Sequence, residues 1–247
     1  MISLEHIIYH ETGDAVGRYH DEVVCMRPFG PAIGHATLPQ DIIDAFNAGI
    51  DAGAEGPDSS EKLVGKVDKE HLIPTEVLEP HAKYFTDVAL RYVDNYAERH
   101  CKPLPENIKL TVTIQSAWYV QQKAVAPLSA AGFNPIHLHT EFTHGDNAGL
   151  SCVGYLQMPP GLHDEWDEDD KRLWPIDHYP AAGHIEFLHG SPTFLNRSTF
   201  MVRPKVGDFF IFPADLLHTV YPFKSSGERR SFSMNIILAE KEEEGGD

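Results

Sequence analysis

The sequence predicts a mainly β protein with flanking helices, on two observations. From about residue 109 onward, short segments of strand character recur between Gly- and Pro-containing turns, the pattern of a sandwich or barrel. Ahead of them, two stretches repeat apolar residues at helical spacing. The 247 residues suit one domain, or one domain with a substantial extension. We divide them into a helical and irregular support region (1–108), a β core (109–239) and an acidic tail (240–247).

Residues 1–36 read as irregular apart from a strand at Glu22–Met26, and Pro28-Phe29-Gly30-Pro31 breaks any regular element. A helix follows, with Thr37 as cap, Pro39 in its first turn, and Ile42, Ile43, Phe46 and Ile50 on one face. Residues 52–60 form a loop. A longer helix spans about Pro80–Arg99, with Phe85, Val88, Ala89, Tyr92, Val93 and Tyr96 as its apolar stripe. Strands are expected at Lys109–Gln122, around His137–Glu141, and at Leu150–Gln157, with a Gly/Asp/Asn-rich loop (Gly145–Gly149) before the last. Residues 159–182, centred on Trp166-Asp167-Glu168-Asp169-Asp170, read as a mobile surface loop. Its Trp166, Trp174 and Tyr179 are candidate substrate contacts. Further strands are expected at His184–Leu188, Phe200–Val202, Asp208–Phe212, Thr219–Tyr221 and Ser231–Leu238.

Composition excludes several function classes. A formal net charge of −17 with no dense Lys/Arg run disfavours a phosphate-binding surface, and hence nucleic acid as a partner. Cys25, Cys101 and Cys152 are widely spaced, with no C-x-x-C pair, which fits a reduced compartment better than a disulfide framework. No signal peptide is visible and the longest apolar stretch, Phe209–Phe212, is too short to cross a bilayer. A soluble cytoplasmic protein without membrane association is expected.

The informative stretch is Asn134-Pro135-Ile136-His137-Leu138-His139-Thr140-Glu141. On a strand, side chains alternate between faces, so His137, His139 and Glu141 would share one face. Two imidazoles and a carboxylate on one side of a metal make a non-haem iron site with positions left open. This stretch supplies two such ligands, and His218, following a strand and a Pro-containing turn, is the third, placed at a sheet edge. Beyond it, Arg229, Ser231, Ser233 and Asn235 alternate with Arg230, Phe232, Met234 and Ile236. The second set is largely apolar and should face packing. The first is polar, and an Arg with a Ser two positions on can clamp a carboxylate through charge-assisted bonds. Each piece alone is weak, since H-x-H, a single His and Arg-x-Ser all occur without function. Their order carries the signal.

That order resembles the iron(II)- and 2-oxoglutarate-dependent oxygenases, more narrowly the 2OG-Fe(II) oxygenases of tailed phages and marine bacteria. The matching pieces are Asn134-Pro135-x-His137-x-His139, Leu150–Leu156, Gly207–Ala214, His218-x-Val220-x-Pro222-Phe223 and Glu228-Arg229-x-Ser231. Phe29-Gly30-Pro31 and Leu63-Val64-Gly65 also resemble that group, extending the likeness over most of the chain. The resemblance implies a double-stranded β-helix (a cupin-like jelly roll) buttressed by N-terminal helices. It implies Fe(2+), 2-oxoglutarate and O2, and hydroxylation of an unidentified substrate with decarboxylation of 2-oxoglutarate to succinate and CO2. Arg229, with Ser231 and Tyr155, would hold the cosubstrate's C5 carboxylate.

The general motif, H-x-D/E with a distant His, selects His139, Glu141 and His218. The phage-like version, H-x-H, selects His137, His139 and His218. The first set is preferred because a carboxylate offsets the ferrous charge. Two alternatives differ in class. A cupin-type metalloenzyme without 2-oxoglutarate would carry a Glu three or four residues beyond H-x-H and no Arg-x-Ser. A non-catalytic jelly-roll interaction protein would bind neither iron nor cosubstrate. The expected substrate is a small molecule or a protein side chain.

Overall fold

The computed structural model describes residues 30–53, 69–100, 110–124, 133–139, 148–171, 181–194 and 197–240. In chain order the strands are β1 (Gly34–Thr37), β2 (Lys69–Leu72), β3 (Leu110–Lys123), β4 (Asn134–His137) and β5 (Ala148–Gln157). They continue with β6 (Ile185–Leu188), β7 (Thr199–Val202), β8 (Asp208–Pro213), β9 (Leu217–Val220) and β10 (Glu228–Glu240). The helices are α1 (Gln40–Asp51), α2 (Ala82–His100) and α3 (Leu162–Lys171), with short helical turns at Thr75–Leu78 and Glu79–His81 before α2.

The strands form a six-stranded sheet in the order β1-β8-β5-β10-β3-β2 and a four-stranded sheet in the order β4-β9-β6-β7. The pairings along both are antiparallel. Two facing antiparallel sheets with these crossovers make a double-stranded β-helix, as expected. Among the described residues no helix is long and apolar enough to cross a membrane.

Strand β10 shows how sequence parity sorts the two faces. Phe232, Met234 and Ile236 are fully buried on its outer face, beneath the helices. There Phe46 of α1 packs edge-on to Phe232 at 4.9 Å between ring centroids, and Phe85 of α2 sits 5.6 Å from the same ring. Each such ring contributes about 1.5–3 kcal/mol by leaving water, so the helices buttress the larger sheet. The inner face carries Arg229, Ser231 and Asn235, all buried, towards the smaller sheet. A second core fills the space between sheets: Phe187 of β6 packs on Phe212 of β8 at 4.9 Å, among Val153, Tyr155, Ile185, Val202 and Phe210. Gly154 of β5 is a glycine for a local reason, because a Cβ there would run into the Phe232 ring.

Several expectations need correction. Thr37 does not cap α1: it ends β1, paired with Asp208, and Pro39 takes the cap position. Strands β1 and β2 are additions, since the first overlaps residues read as irregular and the second had no sequence signal. Gly149 lies in β5 and not in the preceding loop, and β10 runs through Glu240, the first residue assigned to the tail. The centre of the expected 159–182 loop is helix α3. Its Trp166 is 4% exposed, packed with Leu162 and Phe223, and donates Nε1–H to the Ala182 carbonyl at 2.6 Å. Trp166 is therefore an anchor and not an exposed contact. The Glu165 carboxylate accepts from the Lys224 and Ser225 amides and the Ser225 hydroxyl, tying α3 to the turn before β10. The strand expected at residues 22–26, most of the 52–60 loop, Trp174, Tyr179 and residues 241–247 lie outside the described residues.

Candidate active site

Three of the four candidate ligands converge between the sheets. The β4 strand ends at His137, whose register partner on β9 is His218. Residue His139 lies past the strand end, held there by its amide donating to the Ala214 carbonyl at 2.8 Å. The ring centroids of His137 and His218 are 4.3 Å apart, those of His139 and His218 5.2 Å, and those of His137 and His139 5.0 Å. One nitrogen from each of the three lies within 4.8 Å of the others. The expected strand stops at His137, short of His139, and Glu141 lies outside the described residues. Pro135, which lacks an N–H, is tolerated because β4 is an edge strand. His218 is not at a sheet edge: β9 sits between β4 and β6, leaving His218 6% exposed.

Local bonds prepare these rings for a cation. The Nδ1 of His137 lies 2.6 Å from the Pro135 carbonyl and that of His218 lies 2.9 Å from the Leu216 carbonyl. A carbonyl only accepts, so both Nδ1 atoms carry hydrogen and the Nε2 lone pairs point away, free to ligate. Burial, reinforced by the neighbouring imidazoles, pushes the His218 pKa down to about 3 and that of His139 to about 4. Burial also lowers His137. All three are neutral near pH 7, the form a metal needs. The wall is aromatic, with Phe212 4.9 Å from the His218 ring and Trp118 5.7 Å from that of His139.

The other end of the chamber is built on the inner faces of β3, β10 and β5. Register places Arg229 across from Gln122, Ser231 between Val120 and Tyr155, and Ser233 between Trp118 and Val153. The row holding Trp118 adjoins His139, so the polar face of β10 runs from Arg229 towards the imidazoles. The Arg229 guanidinium is 1% exposed. Its Nε and Nη2 donate to Gln122 Oε1, Nε at 2.8 Å, and its Nη1 donates to the Gly183 carbonyl at 2.9 Å. Phe223 lies under it, with the guanidinium carbon 5.4 Å from the ring centre. Among the described residues no carboxylate pairs with it. Burial lowers its pKa to about 10, so it stays cationic. The Tyr155 hydroxyl is buried without a hydrogen-bond partner, and burial raises its pKa. A buried cation short of an anion, beside an orphaned hydroxyl, fits a carboxylate ligand. Arg230 points the other way, pairing with Asp51 of α1 at 2.7 Å.

The structure thus brings His137, His139 and His218 together on one side and Arg229, Ser231 and Tyr155 on the other, while Glu141 lies outside the described residues. The sequence reading missed Gln122, Gly183, Trp118 and Phe223. Gln122 had one available signal, its place in a strand at the parity that faces the clamp.

A jelly roll with clustered imidazoles between its sheets has the form of a cupin-like fold with a group that could hold a metal ion. Residues 117–235, which hold all of these candidate residues, match the family described as "Putative 2OG-Fe(II) oxygenase". Over that stretch, just under half of its length, the chain is similar to the 2OG-Fe(II) oxygenases, for which Fe(2+), 2-oxoglutarate and O2 are the cofactor and cosubstrates. The match is shorter than the stretch over which motifs were expected, leaving Phe29-Gly30-Pro31 and Leu63-Val64-Gly65 outside. No curated protein matches the chain. Among solved structures, a Pseudomonas putida prolyl-4-hydroxylase is 14% identical, covering 85% of this chain and 94% of its own, with a TM-score of 0.49. AviO1 from Streptomyces viridochromogenes Tue57 is 13% identical over 83% and 89%, TM-score 0.49. A prolyl hydroxylase in complex with a hypoxia inducible factor peptide fragment, from Trichoplax adhaerens, is 11% identical over 96% and 94%, TM-score 0.46.

Proposed function

We propose that the protein hydroxylates a small molecule or a protein side chain, with iron held by His137, His139 and His218 and 2-oxoglutarate anchored on Arg229. The observation that carries this reading is the buried, carboxylate-free guanidinium at one end of a chamber with three neutral imidazoles at the other. When bound, iron and 2-oxoglutarate would activate O2, one oxygen atom going to succinate with release of CO2 and the other to the hydroxylated substrate. The chain's own residues position and shield. His137 and His218 offer Nε2 because their Nδ1 hydrogens are committed to carbonyls. Arg229 offers its terminal N–H groups to the C5 carboxylate, and Tyr155 and Ser231 offer hydroxyls beside it. The aromatic wall of Trp118 and Phe212 excludes water, which strengthens these charge interactions.

The all-imidazole set is supported by the convergence of His137 with the other two rings, although a Glu141 carboxylate would offset more ferrous charge. The two sets make opposite predictions for iron affinity. We expect His137→Ala to lose iron and Glu141→Ala to keep it, each measured by anaerobic iron(II) titration. The reverse result returns the third place to Glu141. Enzyme function itself is tested by succinate release from 2-oxoglutarate across peptides, nucleotides and small metabolites. No iron-dependent turnover of 2-oxoglutarate, even uncoupled, would sink the reading in favour of a non-catalytic jelly roll. Turnover independent of 2-oxoglutarate would favour a cupin-type metalloenzyme. The net charge of −17 favours a substrate other than nucleic acid.

A further inference from the structure

A guanidinium has five N–H bonds and no acceptor. On Arg229 one bond from each nitrogen is used, two of them by a single oxygen of Gln122 and the third by a peptide carbonyl. One N–H remains on each terminal nitrogen, the pair that can form a fork on a carboxylate. Because arginine only donates, the Gln122 amide must present its oxygen, which settles the orientation of that amide. Gln122 is itself 1% exposed and lies straight across the β3–β10 ladder from Arg229. It needs no backbone distortion to reach the guanidinium.

Both acceptors are neutral. Buried arginines are generally matched by a carboxylate, since an unpaired buried charge is costly. A glutamate at position 122 would have the same length and reach and could accept the same two N–H bonds. An internal ion pair of that kind would cancel the charge an incoming anion needs. It would also set a second anion beside it in a water-poor site, where repulsion is strong.

We propose that Gln122 is a positioning residue that aims the Arg229 guanidinium at 2-oxoglutarate while leaving its positive charge uncompensated. The proposal rests on the assignment of Arg229 to the cosubstrate, and it predicts opposite changes in stability and in cosubstrate binding. In the Gln122→Glu variant the fold gains an ion pair while the pocket loses its net charge. The probe is 2-oxoglutarate added anaerobically to the iron(II)-loaded full chain, followed by its metal-to-ligand charge-transfer band, with thermal melting in parallel.

We expect Gln122→Glu to bind 2-oxoglutarate at least about 100-fold more weakly, the scale of spoiling a buried charge contact. Its melting temperature should equal or exceed that of the parent, and its iron affinity should be unchanged. Gln122→Met, equal in length but without an acceptor, keeps the charge and frees the guanidinium. It should weaken binding by about tenfold and leave the band position unaltered. Binding within threefold of the parent in either folded variant overturns the proposal. If Gln122→Glu fails to fold, the Met variant alone decides. Should the parent protein itself show no band with 2-oxoglutarate, the cosubstrate reading falls and Gln122 falls with it.

Discussion

His137 and His218 solve the same local problem in the same way. Each commits its Nδ1 hydrogen to the carbonyl two residues back along the chain, and so leaves Nε2 free to ligate. Their burial has a consequence for stability. Unfolded, a histidine titrates near 6.5; folded and free of metal, His139 and His218 titrate at about 4 and about 3. Above pH 6.5 both states are neutral and these groups favour neither. As pH falls below 6.5 the unfolded chain takes up protons that the folded chain refuses, so stability is lost down to the folded values. Each group contributes a slope of up to about 1.4 kcal/mol per pH unit. Urea unfolding of the metal-free protein should show a lower midpoint at pH 5 than at pH 7. The His139→Ala/His218→Ala double variant should flatten that difference, and an equally steep dependence in that variant would refute the account. None of this pairing was visible beforehand. H-x-H identified the residue types, but the carbonyl partners depend on how β4 ends and where β9 lies.

At the level of elements, β5 and β10 meet at Gly154 too closely for a side chain. The missing Cβ of Gly154 leaves room for the Phe232 ring, on which α1 and α2 both rest. Gly154→Ala should destabilise by about 1–3 kcal/mol, the usual cost of overpacking a filled core. Phe232→Leu in that background should recover part of the loss. Additive effects in chemical denaturation would show that the two residues do not share the space. The β10 faces were legible because a thirteen-residue strand gives parity many chances to show itself. Four-residue β1 and β2 gave parity almost none, and β2 (Lys69-Glu70-His71-Leu72) is polar as well. Helix α3 was hidden by its acidity. Only Leu162 and Trp166 of its ten residues are buried, one helical turn apart, so the helical period rests on two points.

For the molecule as a whole, the chamber draws residues from both sheets: His137 and His218 from the smaller, Arg229, Ser231 and Tyr155 from the larger. A ligand set spanning the two should therefore tie them together. Saturating iron(II) and 2-oxoglutarate, each near 100 times its dissociation constant, should each add about 2.7 kcal/mol. For a chain of this size that is a rise in melting temperature of about 5–10 °C per ligand, read by anaerobic thermal melting. His218→Ala should abolish the shift with 2-oxoglutarate as well as with iron. The architecture was readable in outline because strands spaced by Gly/Pro turns and two amphipathic helices leave few ways to pack. The acidic surface, by contrast, says which partners are disfavoured and little about which is preferred.

Helix α3 carries a lesson for anyone redesigning this protein. Trp166 grips the Ala182 carbonyl, and the next carbonyl, that of Gly183, holds Arg229. Gly183 has a φ of 67°, a conformation that suits glycine, and a Cβ there would press on Leu162. The 159–182 segment looks in sequence like a disposable cover that could be exchanged to retarget the enzyme. Grafting a foreign segment in its place would loosen the hold on Arg229, the proposed cosubstrate anchor, before any new specificity could be scored. Libraries aimed at changing substrate should hold Trp166 and the Ala182-Gly183 pair constant.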